Sequence, residues 1–113
     1  MPVAPNVLAR NFTPEAPNRV WTSDITYIAT FEGWLYLTAV IDLFSRQVVS
    51  WIMSAHMQAS AVTDALRMAW FRRRPEPGLI FRSDRGGQYC SQAFLDALKG
   101  YTMKSSTSRK GNC

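Results

Sequence analysis

With 113 residues, 47% of them hydrophobic, the chain is long enough for one domain with a single core and too short for two, and its composition excludes a disordered chain. No apolar run is long enough to span a membrane and the N-terminus lacks the order of a secretory signal, so we expect a cytoplasmic protein. The net charge of +5 comes from an excess of arginine, which suits phosphate contacts and favours a nucleic-acid partner. The chain has one histidine and two cysteines, too few for a zinc site with Cys and His ligands.

An arm and a core are expected from the distribution of proline. Four prolines lie in residues 1–18, so this segment is predicted to be an extended arm or linker, and the core is predicted over residues 19–113. The core begins with three predicted strands, at Val20–Ala29, Trp34–Ile41 and Gln47–Met53, each rich in β-branched and aromatic residues. The short turns between them indicate an antiparallel meander.

The second half of the core alternates helices and strands. Apolar residues at helical spacing follow Ser60, the expected N-cap, and the helix is expected to end before Pro75. The remaining predicted elements are a fourth strand at Leu79–Ser83, a second helix at Ser91–Lys99 with Gly100 as its C′ residue, and a fifth strand at Thr102–Ser106. The order βββαβαβ predicts one mixed α/β domain.

Two aspartates occupy unusual positions relative to the predicted strands. Asp24 lies in the middle of the first strand, where aspartate is depleted, and Asp84 follows the fourth strand directly before two glycines. The structural alternatives are a solvated strand face for Asp24 and an ordinary turn for Asp84. The two are neighbours if strand 4 lies beside strand 1 rather than outside strand 3, which periodicity leaves open. A pair of aspartates on a basic scaffold is the minimum of a site for a hard cation such as Mg²⁺.

A third aspartate, Asp42, closes the second strand beside Ser45 and Arg46. Asparagine and aspartate at such positions accept hydrogen bonds from the backbone two residues on. We therefore expect Asp42 to make an Asx-type turn or a local ion pair.

Four ordered motifs together resemble a known family. They are WTSDITYI (21–28), AVIDLFSRQVVSW (39–51), FRSDRGGQY (81–89) and SRKGNC (108–113). They closely resemble the second-frame transposases of bacterial insertion sequences, which belong to the retroviral-integrase superfamily. The resemblance implies a ribonuclease H-like fold: a mixed sheet, with an antiparallel meander and parallel strands, in which strand 4 lies beside strand 1 and helices flank the sheet.

The resemblance also implies roles for the two aspartates. Asp24 and Asp84 match the first and second catalytic, metal-binding aspartates of the family, and the implied cofactor is Mg²⁺ or Mn²⁺, used for two-metal phosphoryl transfer on DNA. The third acid of the family, a glutamate on a following helix, would fall beyond Cys113, so the core is expected to be C-terminally truncated. We therefore expect weak metal binding, little strand transfer, and one sheet face left partly uncovered.

Basic residues near the expected site are the predicted DNA contacts: Arg82, Arg85, Arg109 and Lys110, with the cluster at 72–74 as a weaker candidate. Expected partners are DNA, both transposon ends and target, and a second copy of the chain or a full-length transposase. Two alternative functions stay open, namely a catalytically inactive remnant that binds DNA or a full-length transposase, and a ribonuclease H-like nuclease. Metal-independent DNA affinity would favour the first; cleavage of an RNA:DNA hybrid without strand joining would favour the second.

Overall fold

A computed structural model describes residues 14–56, 58–83, 89 and 91–107, so that most of the predicted arm lies outside the described residues. Within this part of the chain, five strands form one sheet: β1 (Val20–Thr30), β2 (Gly33–Asp42), β3 (Val48–Ser54), β4 (Ile80–Ser83) and β5 (Lys104–Thr107). Helix α1 (Ala59–Arg73) connects β3 to β4, and helix α2 (Gln92–Gly100) lies between β4 and β5. The elements follow the predicted order.

The strand order across the sheet is β3-β2-β1-β4-β5. The pairs β1–β2 and β2–β3 are antiparallel, as the short turns predict, and the pairs β1–β4 and β4–β5 are parallel. Helix α1 therefore carries the chain from the edge strand β3 past β2 to the far side of β1. This is the arrangement that the family resemblance implied and that periodicity left open.

The core lies between the two helices and one face of the sheet. Trp21, Val40 and Phe81, from three adjacent strands, are buried in one cluster with Leu66 of α1 and Phe94 of α2. The rings of Phe81 and Phe94 meet edge to face with centroids 5.6 Å apart, a geometry that adds to the hydrophobic gain from burial. Both helices thus contribute side chains to the core.

Helix α1 lies close to the sheet because its inward side chains include several alanines. Ala65 and Ala69 have no exposed surface. The hydroxyl of Ser50 in β3 donates a hydrogen bond of 2.7 Å to the carbonyl oxygen of Ala65, so sheet and helix backbone are joined directly. Larger side chains at these positions would separate the two layers.

The opposite face of the sheet, which we call the open face, carries half-exposed apolar side chains. Val48, Trp51 and Met53 of β3 are 51%, 49% and 51% exposed. Trp51 pairs with Ala39 of β2, and the alternation along β3 turns Ser50 and Ile52 toward the helices instead. The expectation of a partly uncovered sheet face is met by these residues.

Two predicted helix ends were wrong. The N-cap of α1 is Gln58, and Ser60 lies inside the first turn, because the helical backbone begins before Ala61, the first buried residue of the apolar stripe. Gly100 is the last residue of α2 and not its C′ residue; the positive φ that follows the helix, 57°, is at Thr102. Among the described residues, no helix is both long and apolar enough to cross a membrane.

Candidate active site

Asp24 lies in the middle of β1 on the open face. It pairs with Ala39 of β2, which in turn pairs with Trp51 of β3, so all three side chains project from the same side of the sheet. Asp24 is exposed, and no group in the described part of the chain donates a hydrogen bond to its carboxylate or forms an ion pair with it. A strand residue of low β-propensity therefore presents two oxygens that are available to a ligand.

Strand β4 runs parallel to β1 and ends at Ser83, the residue before Asp84. The register pairs Thr22 with Arg82, and the Thr22 hydroxyl donates a hydrogen bond of 3.1 Å to the Arg82 carbonyl oxygen. Arg82 is half-buried and shares the open face with Thr22 and Asp24. The other predicted site residues lie outside the described residues: Asp84, Arg85, Arg109 and Lys110.

In the described residues, no three His, Cys, Asp or Glu side chains are grouped closely enough to hold a metal ion. Asp24 nevertheless fits the role of one ligand of a hard cation. Its carboxylate oxygens are the donor type that Mg²⁺ and Mn²⁺ prefer, and no described hydrogen-bond donor competes for them.

Asp42, in contrast to Asp24, has a structural role. It is fully buried; Oδ1 accepts a hydrogen bond of 2.9 Å from the Phe44 backbone N–H, and Oδ2 accepts one of 3.1 Å from Asn18 N–H. Oδ2 also lies 3.4 Å from Nη1 of Arg73 in α1. The predicted Asx-type turn is confirmed, while the ion pair joins β2 to a distant helix and not to a residue of the same turn.

Tyr89 makes a buried contact that sequence reasoning did not single out. Its hydroxyl donates a hydrogen bond of 3.1 Å to Ser23 Oγ, and its ring meets Phe94 edge to face at 5.6 Å between centroids. Ser23 is the residue before Asp24, so Tyr89 links the segment after β4 to the backbone that carries the carboxylate. The signal in the sequence was an aromatic residue with a polar tip at the end of FRSDRGGQY.

The basic cluster at 72–74 divides into three environments. Nη1 of Arg72 donates a hydrogen bond of 3.1 Å to the Val49 carbonyl oxygen, and Arg73 is paired with Asp42. Arg74 is exposed at the C-cap of α1 with a left-handed backbone, φ 47°. The first two arginines stabilise the fold, and Arg74 is left open to a ligand.

Sequence comparisons connect this arrangement with known proteins. The model of the family "Integrase core domain" matches residues 14–113. The transposase InsF for insertion sequence IS3A of Escherichia coli (strain K12) is 48% identical over 113 residues, which are 100% of this chain and 39% of the transposase. A 31 kDa protein of insertion element IS600 from Shigella sonnei is 46% identical over 113 residues, 100% of this chain and 42% of that protein. The chain thus spans about two fifths of the length of these relatives.

Solved structures share the fold. The catalytic core domain of HTLV-2 integrase in complex with magnesium aligns with a TM-score of 0.72 and 25% identity, over 82% of this chain and 61% of that one. The simian T-cell lymphotropic virus intasome in complex with PP2A regulatory subunit B56 gamma gives a TM-score of 0.74 at 24% identity, over 84% of this chain and 33% of that one, a likeness of fold alone. The predicted ribonuclease H-like mixed sheet is confirmed.

Proposed function

Because the chain belongs to the integrase core domain family, we propose that it is part of an insertion-sequence transposase core that acts on DNA by metal-dependent phosphoryl transfer. Asp24 and Asp84 are the metal-binding, catalytic carboxylates. The substrates are transposon ends and target DNA, and the protein acts in the bacterial cytoplasm, at the nucleoid when bound to DNA. The magnesium named for the HTLV-2 integrase core supports Mg²⁺ as the cofactor, with Mn²⁺ as a substitute.

The observation that carries this proposal is the unengaged carboxylate of Asp24 beside a parallel strand that leads to a second aspartate. The register pairs Thr22 with Arg82, and in the sequence each aspartate follows two residues after its member of this pair. On this basis we propose that the two carboxylates bind the same ligand. Carboxylates that share a site repel one another, and a cation that binds both would relieve the repulsion.

The chemistry follows from the residue types. When bound, a pair of divalent ions activates the attacking water or 3′-hydroxyl and stabilises the leaving oxygen. Asp24 and Asp84 would hold these ions, and the bond between Thr22 and the Arg82 carbonyl keeps the two strands in register. Arg82, Arg85, Arg109 and Lys110 bind the phosphates of the DNA and orient it.

DNA binding without catalysis is a second candidate function, favoured by the basic character of the chain. The net charge is +5, and Arg74 is exposed at the C-cap of α1. Arginine side chains bind phosphate groups of DNA without a metal ion.

Metal binding is the direct test. Paramagnetic Mn²⁺ titrated into the isotopically labelled chain should broaden the amide signals around Asp24, and Asp24→Asn and Asp84→Asn should each abolish that broadening. Asp64→Asn, which removes an exposed carboxylate from α1, is the matched control and should have no effect on it. Broadening that survives both variants of the proposed site would contradict the metal assignment.

Activity distinguishes the candidate functions. The chain is incubated with Mg²⁺, a supercoiled plasmid and a labelled short duplex, and in parallel with an RNA:DNA hybrid. DNA joining that requires Mg²⁺ and that Asp24→Asn removes would establish catalysis by this chain. Metal-independent affinity without joining supports the binding function, and hybrid cleavage without joining would identify a nuclease instead.

A further inference from the structure

A cavity of about 480 Å³ lies at the end of the sheet opposite the candidate active site. Its walls are residues 17–19, which lead into β1, and residues 73–79, which lead from α1 into β4. The two walls are joined by a hydrogen bond of 3.0 Å from the Ile80 N–H to the Arg19 carbonyl oxygen. Arg19 precedes Asp24 by five residues, so about 17 Å of strand separates the cavity from the carboxylate.

The lining of this cavity is rich in arginine. Arg19, Arg73 and Arg74 contribute to it, and Glu76 is the one acidic residue in the described part of its lining. Arg73 is neutralised by Asp42, with which it forms the sole ion pair among the described residues. Arg19 and Arg74 form no ion pair among the described residues. Their two positive charges are larger than the sum of the negative charge of Glu76 and the half negative charge at the nearby C-terminus of α1.

Arg74 is held ready for an anion by two aromatic rings. Its guanidinium carbon lies 4.7 Å from the centroid of Trp70 and 5.0 Å from that of Phe71. Trp70 is fixed in turn by stacking on Tyr101 at 4.7 Å with an interplanar angle of 11°. The two rings attract the guanidinium as a cation, and the N–H groups of an arginine suit the bidentate geometry of a phosphate.

We propose that this cavity binds a phosphate group through Arg19 and Arg74, and that the phosphate belongs to the DNA backbone. The group bound follows from the cavity alone, whereas its source in DNA rests on the proposed function. Arg19 and Arg74 thereby add a DNA contact that is separate from Asp24. Glu76 opposes the anion and keeps the affinity for it low.

The test measures DNA affinity by fluorescence anisotropy with a labelled duplex over a series of salt concentrations. Arg19→Gln combined with Arg74→Gln should weaken binding and lower the slope of log affinity against log salt by about 0.9 for each phosphate that the variant no longer neutralises. Glu76→Gln should strengthen binding. Arg67 is an exposed arginine of α1 outside the cavity, and Arg67→Gln is the control for the loss of positive charge. It should neither weaken phosphate binding at the cavity nor strengthen it.

Inorganic phosphate, titrated into the labelled chain, separates the group bound from its source. We expect saturable amide shifts confined to residues 17–19 and 73–79 that the double variant abolishes. If phosphate causes these amide shifts but the double variant keeps the DNA affinity of the unchanged chain, DNA is not the source of the phosphate. If the double variant behaves like Arg67→Gln in both measurements, the proposed phosphate site is wrong. Urea unfolding of each variant checks that the fold is kept.

The same experiments keep this inference distinct from the proposed function. Asp24→Asn removes the proposed metal ligand in the middle of β1 and should leave the shifts that inorganic phosphate causes at residues 17–19 and 73–79 unchanged. If the arginine variants respond and the Mn²⁺ signal does not depend on Asp24, the phosphate site stands and the catalytic assignment falls. The reverse result would overturn the phosphate site alone.

Discussion

The hydroxyl of Tyr89 donates a hydrogen bond of 3.1 Å to Oγ of Ser23, the residue before Asp24. Both residues are buried, at 5% and 6% exposure. The contact joins positions 66 residues apart in sequence and attaches the segment after β4 to the centre of β1. The backbone that carries Asp24 is thereby fixed from two sides, by pairing with β2 and by this bond.

Tyr89→Phe should lower the free energy of unfolding by about 1 kcal/mol, because it removes a buried hydrogen bond and keeps the ring against Phe94. Urea denaturation followed by fluorescence measures the change. Tyr27→Phe is the matched control, since Tyr27 is 57% exposed, and it should leave stability unchanged. Equal effects of the two substitutions would show that the buried bond adds nothing.

Asp42→Ala should lower the free energy of unfolding by about 3 kcal/mol, since it removes the charge partner of the partly buried Arg73 guanidinium and leaves two backbone N–H groups without their acceptor. Asp42→Asn keeps an acceptor oxygen for Phe44 N–H and should be milder. The midpoint of urea unfolding checks this order. Asp64→Ala, on the exposed side of α1, serves as control and should shift the midpoint little.

Asp24→Thr should raise the free energy of unfolding by about 0.5 to 1 kcal/mol, because threonine suits an exposed strand position and aspartate does not. The same substitution should abolish the Mn²⁺ response. Thr26→Asp, two residues along the same face, should instead destabilise the chain. A loss of stability in Asp24→Thr would indicate that the carboxylate supports the fold and would weaken its assignment as a ligand.

Met53→Lys should reduce self-association of the isolated chain, because it places a charge within the half-exposed apolar surface of the open face. Sedimentation velocity at several protein concentrations measures the effect. Ala29→Lys adds the same charge at an exposed position on the other side of the sheet and is the control. Association that falls equally in both variants would reflect net charge and not the open face.

Local sequence patterns predicted the elements well because strand and helix periodicity depend on nearby residues. Alternation along β1 set Trp21 and Asp24 on opposite faces, and both lie where the alternation puts them. The ends of the helices were less predictable. Ser60 has the chemistry of an N-cap, but the helix begins at Ala59, and Gln58, with an extended backbone and no side-chain capping hydrogen bond, is its N-cap.

The sequence by itself determined the order of the helices and strands. It also determined the family, because four motifs occur in a fixed order, and it placed an aspartate at the centre of β1, where local propensity disfavours it. The tertiary structure decided which strands are neighbours. Periodicity repeats every few residues and carries no information on whether β4 lies beside β1 or outside β3. The pairs Thr22–Arg82, Ser23–Tyr89 and Asp42–Arg73 exist only once the crossover through α1 has brought distant segments together. The arginine-lined cavity likewise has walls from two segments more than fifty residues apart.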